Sequence, residues 1–276
     1  MTMDLIHPTA VVDDGAELGP DVRVGPYAVI SGSVRIGPGC FVDSHVVIKG
    51  PVTIGARNII GPGTVIGGYP QDLSFNPEIE SSVEIGDDNV FREYCTIHRG
   101  TKPGTKTVVG SNCYLMAGAH LGHNSWLGNQ VILANIVLLA GYVEIGHRAF
   151  VGGGAAVHQH TRIGQLAILQ GTSGVGQDIP PFTTAAGRNS VVGLNIVGLR
   201  RAGFNLAARS EVKRGFDLLY RQGLKPSEAA RQAERESWSP ALLSFWEFVR
   251  ASKRGICPFR SWRAIKDDSV EGATES

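Results

Sequence analysis

An aliphatic residue returns at every sixth position over most of this 276-residue chain. One run goes from Ile6 through Val12, Leu18, Val24 and Ile30 to Ile66. The phase reappears at Ile85, Phe91 and Ile97, then holds from Val109 through Leu115 and Leu121 to Val175. A six-residue period matches neither the 3.6 of an amphipathic helix nor the 7 of a coiled coil. It suits short strands separated by corners. In units such as Ile36-Gly37-Pro38-Gly39-Cys40-Phe41 and Leu121-Gly122-His123-Asn124-Ser125-Trp126, the first and fifth residues share parity and can both face inward. Gly and Pro collect in the second to fourth slots, where a corner belongs. Three units close one triangular coil, and coils stack at the strand spacing of about 4.8 Å. The expectation is a parallel β-helix, a solenoid with a thin, dry, aliphatic core. The 36 glycines, roughly twice the usual ~7%, fit many corners.

The period breaks twice, predicting loops at 67–84 and 98–108, and ends near Pro180-Pro181. The β-helix is therefore assigned to 1–190 and a helical domain to 191–276. Leu194, Val197, Leu199 and Phe204 suggest a first helix, and Val212, Phe216, Leu219 and Tyr220 a second. Pro226 and Pro240 each mark the start of another. The polar end, Asp267 to Ser276, is expected to fray. Charge divides along the same boundary. Residues 1–190 hold 11 basic and 15 acidic residues, net −4; residues 191–266 hold 15 and 6, net +9. A basic helical cap suits an acidic or phosphate-bearing partner. No aromatic–basic interleaving or recognition motif points to nucleic acid.

The apolar stretch Val131 to Val143 is in repeat phase and too short to span a membrane, and the N-terminus lacks a signal pattern. Cys40, Cys95 and Cys113 fall in the inward fifth slot and read as small core residues of a reducing compartment. Cys257 lies in the tail without a sequence-near partner. A cytoplasmic location is expected.

With 18 residues per coil the period becomes a ruler. His123 stacks under Gly141 and Gln159, Asn124 under Tyr142 and His160, and Gly122 under Ala140 and His158. Polar groups thus converge on one edge, with His98 and His120 nearby and a glycine above His123. A solvated corner is the bland alternative. Histidine suits general-base chemistry and also metal ligation, and spacing alone leaves both open.

Several segments carry a resemblance: His7-Pro8-Thr9-Ala10, Gln71-Asp72-Leu73, Thr96-Ile97-His98-Arg99-Gly100-Thr101, Ala119-His120 with His123, Ile132-Leu133-Ala134-Asn135, Ala156-Val157-His158-Gln159, Gln177-Asp178-Ile179-Pro180-Pro181 and Gly193-Leu194-Asn195-Ile196. In this ordered set the chain resembles the acyl-[acyl-carrier-protein]–UDP-N-acetylglucosamine O-acyltransferase family of lipid A synthesis along nearly its whole length. The resemblance implies a left-handed β-helix, the exception to right-handed crossovers, and a homotrimer with sites between prisms. It implies transfer of a 3-hydroxyacyl chain from acyl carrier protein to the sugar 3-hydroxyl, with no cofactor beyond the carrier's phosphopantetheine and no metal. By carry-over, His123 is the general base and the Gly141 N–H the oxyanion donor. Asp72, Gln71, His98, His120, Tyr142 and Gln159 surround sugar and acyl groups. His158, Asn195 and Arg201 lie around the nucleotide. Gly171, with Ile168, sets acyl length, and glycine there leaves the channel open to a long chain.

The chain departs from the family pattern at five places. Ser74 replaces a lysine, Asn124 an aspartate, Tyr142 a histidine, Val197 a glutamate and Ala202 an arginine. Without a carboxylate beside it, His123 is expected to be a weaker base with a less strictly set tautomer. These changes cluster around the acceptor. A paralogue using a 3-amino sugar nucleotide, or lacking activity, is one alternative; a zinc carbonic anhydrase-like enzyme on the same scaffold is a more distant one.

Overall fold

The computed structural model describes residues 5–264; the segment from Asp267 to Ser276 lies outside the described residues. The chain winds a left-handed parallel β-helix closed by a helical domain. Its strands, mostly two to four residues long, form three sheets of nine, eight and ten strands. The nine-stranded sheet holds the ladder Thr96–His98, His120–Leu121, Leu138–Leu139, Ala156–Val157 and Gly174–Val175. Pairing advances by 18 residues per coil wherever the period is intact, as in His120↔Leu138 and Leu139↔Val157.

Both inward slots behave as the period predicts. Ile30, Ile36, Ile48, Ile60, Leu121, Leu133 and Leu139 are at most 1% exposed. Cys40, Cys95 and Cys113 are buried beside them. The corners carry a regular backbone signature. The fourth slot takes a left-handed conformation coil after coil, as at Asn124 (φ 61°), Tyr142 (φ 59°) and His160 (φ 65°). That single left-handed residue turns the chain between sheets, and glycine occupies the slot at Gly39, Gly63, Gly118 and Gly154.

The core is less dry than expected. Asn58, Thr64, Asn89, Thr107, Ser125 and Thr161 occupy inward fifth slots and are fully buried. All but Thr161 bond to neighbouring backbone. Asn58 donates from Nδ2 to the Gly86 carbonyl at 2.9 Å and accepts from the Asn89 amide at 2.9 Å. Asn89 in turn accepts from the Cys113 amide at 2.8 Å. A polar side chain survives inside a thin prism because backbone groups at the corners lie within its reach.

The domain boundary also moves. Val191 to Leu194 is not helical; Ser190–Leu194 is a strand antiparallel to Thr183–Ala186. Helix α1 spans Ile196–Arg201, α2 Leu206–Tyr220, α3 Pro226–Ala233 and α4 Pro240–Arg250. The prolines stand at the first helical positions as predicted. Both insertions are shorter than expected, at 69–81 and 99–105, because their flanks pair as strands.

The helices share a second apolar core built on Phe182, Leu199, Val212, Phe245 and Trp246. Cys257 is not a tail residue. It is fully buried against the prism core, with Sγ donating to the Gln177 carbonyl at 3.3 Å. Beside it, the fully buried Asp178 accepts from the Arg162 amide at 2.8 Å, from Arg162 Nη2 at 2.9 Å and from Ser252 Oγ at 2.8 Å. Arg162 also donates to the Phe248 carbonyl. This pair joins the prism to α4 and the segment after it. Removing the carboxylate leaves a largely buried guanidinium uncompensated. Asp178→Ala is expected to cost roughly 3 kcal/mol in a urea titration; a loss under ~1 kcal/mol would show the pair to be dispensable.

Candidate active site

The two insertions pack on each other above the coil that carries His120 and His123. Arg99 is buried, donates from Nη2 to the Pro77 carbonyl at 2.6 Å, and lies over the rings of Tyr69 (5.2 Å) and Phe75 (5.3 Å). Ser81 Oγ donates to the Gly100 carbonyl and the Gly104 amide to the Glu80 carbonyl. The longer loop is thereby held where Gln71 and Asp72 meet the histidine edge.

A cleft of about 440 Å³ opens there, lined by Gln71, His98, His120, Gly122, His123, Gly141 and Gln159. Leu138, Leu139, Ala140, Ala156 and Val157 form its apolar wall. The ruler therefore put His123, Gly141 and Gln159 together correctly. It did not identify the apolar wall, whose outward residues follow the strand pattern and carry no polar signal.

His98 and His120 meet edge to face, with ring centroids 4.9 Å apart, and His120 Nδ1 bonds Thr96 Oγ1 at 2.7 Å. Burial, reinforced by the charges of His120 and His123, holds His98 down at about 4 from an ordinary 6.5. Burial lowers His120 as well. Asp72 is held below the usual carboxylate value by hydrogen bonds from the Ser74 hydroxyl and amide, with a smaller pull from His123. Ser74, at the family's lysine position, thus binds the carboxylate of Asp72 directly.

The depressed His98 value has a stability consequence. Between pH 6.5 and about 4 the unfolded chain takes up a proton that the folded site refuses. Stability is complete above pH 6.5 and falls as pH drops through that window, by at most about 3 kcal/mol from this group. His98→Gln, neutral throughout, should flatten the dependence; urea midpoints at pH 7.5 and pH 5 compare the two proteins, and an unchanged slope would contradict the assignment.

His123 is held from two sides. Its Nδ1 lies 3.0 Å from Asn124 Oδ1. That oxygen also receives the Thr101 backbone N–H at 3.0 Å. A backbone amide only donates, so the atom facing it is the amide oxygen, and Nδ1 must carry the proton. The lone pair then resides on Nε2. A Cβ on residue 141 would fall within contact distance of His123 Nε2 and Cε1 and 3.0 Å from Cδ2, so glycine is what leaves room for the ring. Among the described residues the Gly141 amide donates to no acceptor, while its carbonyl accepts from His160.

A chain with this solenoid, this edge of histidines and this helical cap can be compared with known proteins. Residues 178–257 match the family model "Udp N-acetylglucosamine O-acyltransferase; Domain 2", and residues 33–68 match "Bacterial transferase hexapeptide (six repeats)". The acyl-[acyl-carrier-protein]–UDP-N-acetylglucosamine O-acyltransferase of Janthinobacterium sp. (strain Marseille) is 46% identical over 261 residues, covering 92% of this chain and 99% of that one. The chain belongs to this acyltransferase family. The structure of the UDP-N-acetylglucosamine acyltransferase from Campylobacter jejuni matches with a TM-score of 0.87 at 36% identity, over 92% of this chain and all of the other. That of LpxA from Acinetobacter baumannii matches at 0.88 and 35%, over 92% and 99%. Membership displaces the carbonic anhydrase alternative.

Other family positions lie apart from the His123 cleft. Tyr142 does not line it. The left-handed corner turns it, with Asn124 and His160, into a neighbouring cleft of about 490 Å³ facing the helical domain. There it stacks on His160 at 4.7 Å and meets His123 edge-on at 5.2 Å. His158 lines a third cleft with Gly176, Arg188 and Asn189, and Arg254 Nη2 reaches its Nδ1 at 3.3 Å. Arg254, 96 residues away, was missed because the repeat offers no ruler beyond the prism. Asn195 is buried, its Nδ2 donating to the Leu166 carbonyl and its Oδ1 capping α1 at the Gly198 amide, a structural role not foreseen. Arg201 ends α1. Ile168 and Gly171 sit on the ten-stranded sheet and the corner after it, where a Cβ on 171 would approach the Gly153 carbonyl at 3.0 Å. None of Asn195, Arg201, Ile168 and Gly171 lines the His123 cleft.

Proposed function

We propose that this protein transfers a 3-hydroxyacyl chain from acyl carrier protein to the 3-hydroxyl of UDP-N-acetylglucosamine, the first step of lipid A synthesis. The observation that carries the reading is the His123–Gly141 pair: an imidazole with its free lone pair beside an amide with no partner among the described residues, on one wall of one cleft. His123 Nε2 takes the hydroxyl proton as the sugar oxygen attacks the thioester carbonyl. The Gly141 N–H stabilises the resulting oxyanion. Collapse expels the phosphopantetheine thiolate, which recovers the proton from His123. Asp72, Gln71, His98, His120 and Gln159 hold sugar and acyl groups; His158 and Arg201 serve the nucleotide, and Asn195 supports them by capping α1, the helix that ends at Arg201. The depressed values of His98 and His120 keep both rings neutral at pH 7, so they offer hydrogen bonds rather than charge.

Apolar Leu138, small Ala156 and open Gly174, where an added Cβ would touch nothing within 4 Å, provide a path for the acyl chain. Gly171 and Ile168 would limit its length. Exposed Phe41, Ile59, Ile132 and Ile136 form an apolar flank suited to a homotrimer. The net charge of +9 on residues 191–266 suits an acidic carrier. Among the described residues no helix is long and apolar enough to cross a membrane, the four cysteines are free and buried, and we place the enzyme in the cytoplasm.

Asn124 and Ser74 favour one second reading, a 3-amino sugar acceptor, since an amine needs less help from a base. The primary reading is tested by mixing purified protein, 3-hydroxyacyl carrier protein and UDP-N-acetylglucosamine and following free carrier thiol. Thiol release dependent on the sugar supports it; no sugar-dependent release would overturn it.

A further inference from the structure

The neutral Asn124 raises a question of how His123 keeps its orientation without a carboxylate. We infer that Thr101 is a positioning residue for His123, acting through Asn124 and linked to Tyr142. This rests on the acyltransferase reading for its kinetic consequence, although the geometry stands without it.

Thr101 belongs to the shorter insertion and bonds Asn124 twice. Its amide and its Oγ1 both donate to Asn124 Oδ1, each at 3.0 Å. Because the hydroxyl proton is spent on Asn124, the 3.1 Å contact between Thr101 Oγ1 and Tyr142 Oη must be donated by tyrosine. The directions are then fixed throughout: Tyr142 O–H to Thr101, Thr101 O–H to Asn124, and His123 Nδ1–H to the same Asn124 oxygen. Thr107 Oγ1 secures the corner by accepting the Asn124 amide at 2.8 Å. Exchanging this oxygen with the side-chain amide nitrogen would lose the bond from the Thr101 backbone N–H outright and force the other two to reverse direction. Asn124 is thereby locked acceptor-first toward His123, and the Nδ1–H tautomer follows. An aspartate would impose the same tautomer unaided, having no donor to present. The asparagine needs Thr101, and Tyr142 extends the chain by keeping the threonine hydroxyl oriented. Two departures from the family pattern, Asn124 and Tyr142, thus belong to one network whose middle member is Thr101.

The test uses isosteric Thr101→Val, with Thr101→Ser as the rescue, in the full-length protein. Nitrogen NMR of His123 in the ligand-free protein reads the tautomer independently of activity. Wild type and Thr101→Ser should show a single Nδ1–H form. Thr101→Val keeps the main-chain donor to Asn124 but loses the hydroxyl, and with one of its two anchors gone a minor second population carrying the proton on Nε2 should appear. In the transfer assay Thr101→Val should lose about tenfold in kcat, the value of one orienting hydrogen bond, with KM for the nucleotide sugar unchanged and activity restored in Thr101→Ser. Tyr142→Phe added to Thr101→Val should cost nothing more, since both act through one chain. A wild-type His123 spectrum and unchanged kcat in Thr101→Val would overturn the inference. Should wild type itself transfer no acyl group, the functional reading fails while the spectrum still decides the role of Thr101.

Discussion

Replacing His123 by alanine is expected to reduce acyl transfer by about 10³-fold or more, within the upper range for loss of a general base. The ring has no part in the hydrophobic core, and its polar contacts in the chain are to Asn124 and, edge-on, to Tyr142. The variant should therefore keep the wild-type circular dichroism and melting temperature. Carrier-protein binding should also survive, because the basic helices are untouched. Retention of more than a tenth of the wild-type rate would remove His123 from the chemistry and favour a carrier-binding paralogue.

Gly141→Ala is the second large effect, and it separates site from scaffold. The added Cβ meets only His123 side-chain atoms among its nearest neighbours. A side chain can swing away, so the fold should persist while the imidazole leaves its place. Displacement of about 1 Å is enough for a roughly 10²-fold loss in kcat. Gly122→Ala, one coil below, is the control. There a Cβ would lie 2.7 Å from the Ala140 carbonyl carbon and the Gly141 nitrogen, both backbone, so stability should fall instead. Equal activity losses without any difference in stability between the two variants would contradict this division.

The period exposed the architecture because each coil repeats one simple requirement: two inward side chains and one left-handed corner. It also placed His123, Gly141 and Gln159 in one column, since backbone pairing advances by whole coils there. It failed where the ruler ends or the chain leaves it. Val191 to Leu194 read as helical because a run of apolar residues does not distinguish a buried strand from a helix by composition. Thr101 was visible only as part of a motif; its bonds to Asn124 and Tyr142 span 23 and 41 residues across an insertion. Cys257 and Arg254 acquire their places from docking of the helical domain on the prism, which no local pattern encodes. The expectation of a dry core failed at Asn58 and Asn89, whose side chains are bonded parts of it.

The most direct measurement offers both acceptors at once. Purified protein, 3-hydroxyacyl carrier protein and equimolar UDP-N-acetylglucosamine and its 3-amino analogue are incubated together, and the products are resolved by mass spectrometry. The account predicts chiefly the ester, with its yield abolished in His123→Ala. Amide alone would transfer the site to an amino-sugar enzyme, and the absence of both products would contradict the central claim.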